Sequence, residues 1–180
     1  MFVQTETTPN PNALKFIPGK AVSNDGSFEF TKKEDSSIEL VRNLLSINGV
    51  TGIFLGADFL SVNKEEEKNW EDIKHIVISL INEHYSVGIE FVIDKNSSQS
   101  KNSGFDEIEQ KIIKILDTKI RPAVAKDGGD IKFKEFKNGV VKVELQGSCS
   151  GCPSSTMTLK QGVQNLLCHY LPEVKEVIAV

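Results

Sequence analysis

Gly147-Ser148-Cys149-Ser150-Gly151-Cys152-Pro153 holds two thiols, separated by two residues, between a predicted strand and a predicted helix. Before it, Val140-Val141-Lys142-Val143-Glu144-Leu145 is dominated by β-branched residues and follows a turn, which is the pattern of a strand. After it, Pro153 suits the first turn of a helix, where its missing N–H is not needed. From Ser154 to Tyr170 the chain sets Leu159, Val163, Leu166, Leu167 and Tyr170 on one helical face. Both sulfurs are therefore expected at or just before a helix N-terminus. Free N–H groups and the positive end of the dipole favour thiolate over thiol there. Gly147 and Gly151 remove side-chain bulk, so that backbone N–H groups can approach a sulfur-rich ligand. Neither cysteine is expected in the core.

Outward from this stretch, a helix is expected from Phe105, with Ser103 as its cap and Phe105, Ile108, Ile112, Ile115 and Leu116 as its buried stripe. Pro122 interrupts or restarts it. Lys126-Asp127-Gly128-Gly129-Asp130 ends the helical region and enters a strand, which explains the two carboxylates more simply than a cation site does. Ile131-Lys132-Phe133-Lys134-Glu135-Phe136 is a strand, and Asn138-Gly139 signals a two-residue hairpin. After the long helix, Pro172 precedes a final strand at Val174-Lys175-Glu176-Val177-Ile178-Ala179-Val180. The order is helix, hairpin, Cys-x-x-Cys turn, helix, strand.

The first half reads as a separate α/β unit. Strands are expected at Phe2 to Thr7, Ala13 to Ile17, Val50 to Leu55 and Phe59 to Asn63. A loop rich in Ser, Asn, Asp and Gly leads to a helix that Ser36 and Glu39 cap as a box. A second helix, capped by Asn69, carries Trp70, Ile73, Ile76, Val77, Leu80 and Ile81. Val87 to Ile93 is a candidate last strand. Glu65-Glu66-Glu67 is a solvated face. His75 and His84 have no Cys or acidic partner at metal-ligand spacing and read as surface or edge residues. Residues 94–104 contain no large apolar side chain and form a flexible linker. The expected fold class is α+β, in two small α/β-type domains at 1–93 and 105–180.

The chain of 180 residues is 39% hydrophobic and 26% charged, an ordinary composition for a protein that buries a core. Its net charge is −4, with nine basic against fifteen acidic residues up to position 95 and twelve against ten beyond it. Neither half shows the concentrated basic patch of a nucleic-acid binder. No apolar run approaches the ~20 residues of a membrane span. The N-terminal residues lack a basic n-region and an apolar h-region, so no targeting segment is expected. Three cysteines argue against a disulfide framework and for a reducing compartment.

Four readings of the Cys-x-x-Cys pair compete. A structural zinc site takes four ligands. Cys168 lies sixteen residues past Cys152 along one helix, roughly 24 Å away at ~1.5 Å per residue, so it cannot join such a site within one chain. His169 fails for the same reason. A thioredoxin-like dithiol would suit the strand-to-helix position, but that fold is built from βαβ units and the approach here is an antiparallel hairpin. Two purely structural thiols are a third reading. The fourth is an iron–sulfur cluster, which commonly takes four thiolates. Cys149 and Cys152 from each of two chains related by a two-fold axis would supply them.

Arg121-Pro122-Ala123-Val124-Ala125-Lys126-Asp127-Gly128-Gly129-Asp130, followed by Leu145-Gln146-Gly147-Ser148-Cys149-Ser150-Gly151-Cys152-Pro153-Ser154-Ser155-Thr156-Met157-Thr158-Leu159, closely resembles the C-terminal domain of NifU and of the Nfu-type iron–sulfur scaffold proteins. Gln4-Thr5-Glu6-Thr7-Thr8-Pro9-Asn10-Pro11-Asn12-Ala13-Leu14-Lys15-Phe16 resembles the N-terminal domain of the Nfu branch. The resemblance implies a non-enzymatic carrier that receives a [4Fe-4S] cluster from a donor and passes it to apo-protein clients. It implies Cys149 and Cys152 as the ligands, across a homodimer, and assigns nothing to Cys168. It leaves the N-terminal domain as an interaction module. Such proteins occur in bacteria and mitochondria. The bacterial cytoplasm is the expected location, with the mitochondrial matrix as the alternative if a presequence has been removed. The competing function is a thiol–disulfide redox protein, an enzyme.

Overall fold

The structure is a computed structural model that describes residues 2–23, 26–88, 106–149 and 153–180, with side chains from 156 onward in the last segment. The expected linker at 94–104, the run 89–93, Ser103, Phe105 and Cys152 lie outside the described residues. Both helices and strands are present, in two sheets, so the fold is α+β.

The N-terminal sheet contains β1 (Gln4–Thr7), β2 (Ala13–Ile17), β3 (Phe28–Phe30), β4 (Val50–Leu55) and β5 (Leu60–Lys64). Their spatial order is β1-β2-β5-β4-β3, and every pairing is antiparallel. Alternation sorts the side chains to two faces. Leu14, Phe16, Ile53, Leu55, Leu60 and Val62 face α1 (Glu39–Leu45) and α2 (Trp70–Ser86) and build one core with Leu40, Val41, Leu44, Ile73, Val77 and Ile81. The residues between them, Glu29, Phe54, Lys15, Ser61 and Asn63, belong to the other face.

Five expectations for this half are corrected. Phe28-Glu29-Phe30 is a strand inside the segment read as loop, because its two phenylalanines pack against the core on one side of the sheet. The helix begins at Glu39 without a box. Ser36 Oγ instead accepts from the Ile38 N–H at 3.1 Å, and Ile38 is the capping position. On α2, Ile76 is 47% exposed, while His84 and Tyr85 complete the buried stripe. His84 is thus not a surface residue. Burial lowers its pKa against an opposing pull from Glu39. Val87 caps the end of α2 and does not open a strand.

In the C-terminal half, α3 (Glu107–Ile115) is capped by Asp106 with Glu109 closing the box, one turn later than expected. A wider π turn at Leu116–Ile120 leads into α4 (Arg121–Lys126), whose first turn holds Pro122. Proline has no N–H to continue the helical ladder, so the helix restarts at this point. β6 (Gly129–Lys137) and β7 (Val140–Gly147) form the hairpin, joined by Asn138 and Gly139, both at positive φ. α5 (Pro153–Tyr170) then returns the chain to β8 (Glu176–Ala179), which pairs parallel to β7. Ile112, Leu116, Ile131, Val141, Val143, Val163, Leu167 and Val177 form the second core. Tyr170, expected on the buried stripe of α5, is half-exposed.

Two positions on one helix test this packing. Ile81→Ala should lower unfolding free energy by about 2–5 kcal/mol, the usual cost of a core truncation. Ile76→Ala should change it by about 0.5 kcal/mol or less, as at an exposed site. Urea denaturation of the two variants checks both.

Candidate functional site

Cys149 sits just past the end of β7, and its position is fixed by three glycines. Gly129 and Gly147 are direct partners across the hairpin. A Cβ on Gly129 would stand 2.6 Å from the Gln146 carbonyl oxygen and 2.7 Å from Cys149 Sγ. A Cβ on Gly147 would stand 2.6 Å from the Gly128 carbonyl oxygen. Gly128 and Gly147 also hold φ of 84° and 69°, a region that glycine enters without strain. Ser148 ties the same crossing. Its N–H donates to the Gly128 carbonyl at 3.3 Å, and its hydroxyl donates to the Asp127 carbonyl in a short contact. From α5, Thr156 Oγ1 donates to the Cys149 carbonyl at 3.1 Å.

The Cys149 side chain points inward. It is 6% exposed and belongs to the second core. Burial pushes its thiol up to about 11. The Ser148 hydrogen bond opposes the rise, and the charges of Asp127 and Asp130 add to it. This corrects the expectation of an exposed, thiolate-favouring site for Cys149. The desolvation of a sulfur packed against Gly129 outweighs any pull from the helix that starts at Pro153. Cys152 lies outside the described residues, so its placement relative to Cys149 is not described.

Cys168 stands near the other end of α5, half-buried, with its thiol donating to the Val174 carbonyl at 3.2 Å. His169 is exposed. Among the described residues, no three His, Cys, Asp or Glu side chains gather as a metal site.

Asp-Gly-Gly-Asp is a structural element. Asp130 is buried and accepts from Arg121 through both oxygens, from Nε and Nη2, each at 2.9 Å. Ser27 donates to it in a short contact, and the Ile131 N–H donates at 2.8 Å. Arg121 also reaches Asp117 at 3.1 Å. Hydrogen bonding to Asp130 holds the guanidinium protonated beyond its ordinary range. Sequence reasoning missed this pair. The signal lay in Arg121 and Asp130 flanking a helix stop, which brings the ends of α4 and β6 together.

The scaffold protein Nfu/NifU N-terminal family matches residues 3–88, and the NifU-like domain family matches residues 112–178. A human protein named NFU1 iron-sulfur cluster scaffold homolog, mitochondrial, is 44% identical over 98% of this chain and 71% of its own length. NifU-like protein 4, mitochondrial, of Arabidopsis thaliana is 40% identical over 98% of this chain and 65% of its own length. A solution structure of a NifU-like protein from Saccharomyces cerevisiae is 27% identical, with a TM-score of 0.47 over 53% of this chain and 87% of that one. An N-terminal match and a C-terminal match in this order define a two-part NifU-like architecture. The chain belongs to the Nfu/NifU family.

Three outcomes are expected from this geometry. Iodoacetamide attack on Cys149 in the metal-free chain should keep accelerating above pH 9 up to about pH 11. Because the folded pKa is raised, the associated stability is complete below pH 9.0 and is lost as pH rises through about 11. Arg121→Met should cost about 1–3 kcal/mol, since it leaves the buried Asp130 carboxylate short of its charged partner. Thermal and urea melts against the parent chain measure it.

Proposed function

We propose that this chain is an iron–sulfur cluster scaffold or carrier. In this reading it takes up a [4Fe-4S] cluster as cargo through Cys149 and Cys152 and passes it to apo-proteins. The observation that carries the reading is the placement of Cys149 on the strand-to-helix turn, within a chain whose relatives are named iron–sulfur cluster scaffolds. Thiolate sulfur is the soft donor that iron–sulfur clusters take. Iron binding displaces the proton from a coordinating thiol, so the raised pKa of the metal-free form does not stand against ligation.

The arithmetic of ligands supports a shared site. The chain has three cysteines, and Cys168 is held at the Val174 end of α5. One chain therefore offers two thiolates at the turn, and two chains offer the four that a cluster commonly takes. We place the cluster between two copies, with a cluster donor upstream and apo-protein clients downstream. The division into a domain at 1–93, a linker at 94–104 and a domain at 105–180 is part of this proposal. So is a carrier role in place of catalysis. The relatives above carry mitochondrial names, which favours the mitochondrial matrix over the bacterial cytoplasm. No helix among the described residues is long and apolar enough to cross a membrane.

The redox alternative finds one feature in its favour, since β7, α5 and β8 form a βαβ unit. It meets a stronger obstacle in the thiol of Cys149. An attacking cysteine in a dithiol has a lowered pKa, whereas burial raises this one.

Anaerobic reconstitution with iron and sulfide, read by the visible absorption of the product, separates the readings. Cys149→Ser and Cys152→Ser should each lose the chromophore, and Cys168→Ser should keep it. A full chromophore in either of the first two, or its loss in the third, would refute the ligand assignment.

A further inference from the structure

The face of the N-terminal sheet turned away from α1 and α2 is occupied by the cysteine turn of the same chain. Ser61 Oγ donates to the Gly128 carbonyl at 2.7 Å. Gly147 is held from both sides of its backbone. Its N–H donates to Glu29 Oε1 at 3.1 Å, and its carbonyl accepts from Asn63 Nδ2 at 3.4 Å. The Ser148 carbonyl accepts from Asn10 Nδ2 at 3.2 Å. Ser27 completes the contact, donating to Asp130 and accepting from Lys132 Nζ at 3.3 Å.

Shape matches these bonds. A Cβ on Gly128 would meet Ser61 Oγ at 2.8 Å, and one on Gly147 would meet Phe54 Cγ at 3.0 Å. Gly147, which lets the hairpin ends cross, therefore also lets the sheet approach, and Gly128 beside the crossing does the same. Ser61 is 1% exposed although it is a polar residue on a strand face, because the turn lies on it. A polar, alternating strand face with no apolar residue at Ser61 or Asn63 suits a partner made of backbone amides, and the turn offers three carbonyls and an N–H.

The Ser148 carbonyl belongs to the peptide that joins Ser148 to Cys149. With that peptide and the one before it pinned, Cys149 has little freedom to rotate outward. We infer that the N-terminal sheet acts as an intramolecular clamp that holds Cys149 in its inward position, and that release of the clamp is what presents this thiol to anything outside the chain. The inference stands on the metal-free geometry and does not rest on the cluster assignment. It gives the first half of the chain a task that its own residues perform.

The test uses the full metal-free chain at one fixed pH. The rate of iodoacetamide addition is followed at Cys149 by tandem mass spectrometry, which separates it from the other two thiols. Asn10→Ala/Asn63→Ala removes two donors to the turn. Ser61→Trp places bulk against Gly128. Glu6→Ala serves as the control, since Glu6 pairs with Lys15 on the same sheet, at 3.5 Å, and is not one of the donors or acceptors given above for the turn. Both clamp variants should react at Cys149 about tenfold faster or more, the scale of losing one or two net hydrogen bonds in a local opening. The Gly147 amide should exchange faster in parallel, and the control should match the parent. An unchanged Cys149 rate in the double-alanine variant would overturn the clamp, whether or not the tryptophan variant folds. So would equal acceleration in the control, or acceleration at Cys149 with Gly147 still protected.

Discussion

The close crossing of Gly129 and Gly147 is the constraint on which the rest of this molecule depends. Two backbones pass at a distance that leaves no space for a Cβ on either side. That crossing ends the hairpin, turns the chain toward α5 and buries the sulfur of Cys149 against Gly129. Asp130, next in line, cannot follow the sulfur into an apolar core as a free charge. It is held by the two-point grip of Arg121, by Ser27 and by its neighbouring amide. The turn that holds Cys149 is thus built from a glycine crossing with a buried ion pair beside it.

The same crossing decides how the two halves meet. Glycine at 128 and 147 exposes carbonyls and an N–H without side chains to shield them. The N-terminal sheet supplies Ser61, Asn63 and Glu29 at matching positions, and the connection between β1 and β2 supplies Asn10. The sheet's opposite face carries the apolar residues Leu14, Phe16, Ile53, Leu55, Leu60 and Val62, which pack with α1 and α2. One five-stranded sheet therefore has a face built for its own core and a face built for contact with polar backbone. The second face takes its chemistry from alternate residues of β3 and β5.

Much of this was legible in the sequence. Short apolar-rich runs bounded by turn residues marked Ala13 to Ile17 and Phe59 to Asn63 as strands, and Asn138-Gly139 marked the hairpin, because these patterns are local. The strand at Phe28–Phe30 was not legible. It is three residues long and is held by pairing with β4, a partner far along the chain. His84 looked like a surface residue because its burial comes from the end of α2 packing on the rest of the first half. The inward sulfur of Cys149 was hidden for a related reason. Spacing placed it before a helix, but its environment is set by Gly129, a residue twenty positions earlier. The Arg121–Asp130 pair and the contact between the halves are equally non-local, and no window of neighbouring residues carries them.

The central claim is that two copies of this turn hold one cluster between them. Native mass spectrometry of the anaerobically reconstituted chain tests it most directly, because subunits and cargo are weighed together. The account predicts a dimer heavier than two chains by one [4Fe-4S] unit, falling apart to metal-free monomers when the cluster is removed. A monomer that carries a complete cluster, or a dimer that carries one zinc ion and no sulfide, would contradict it.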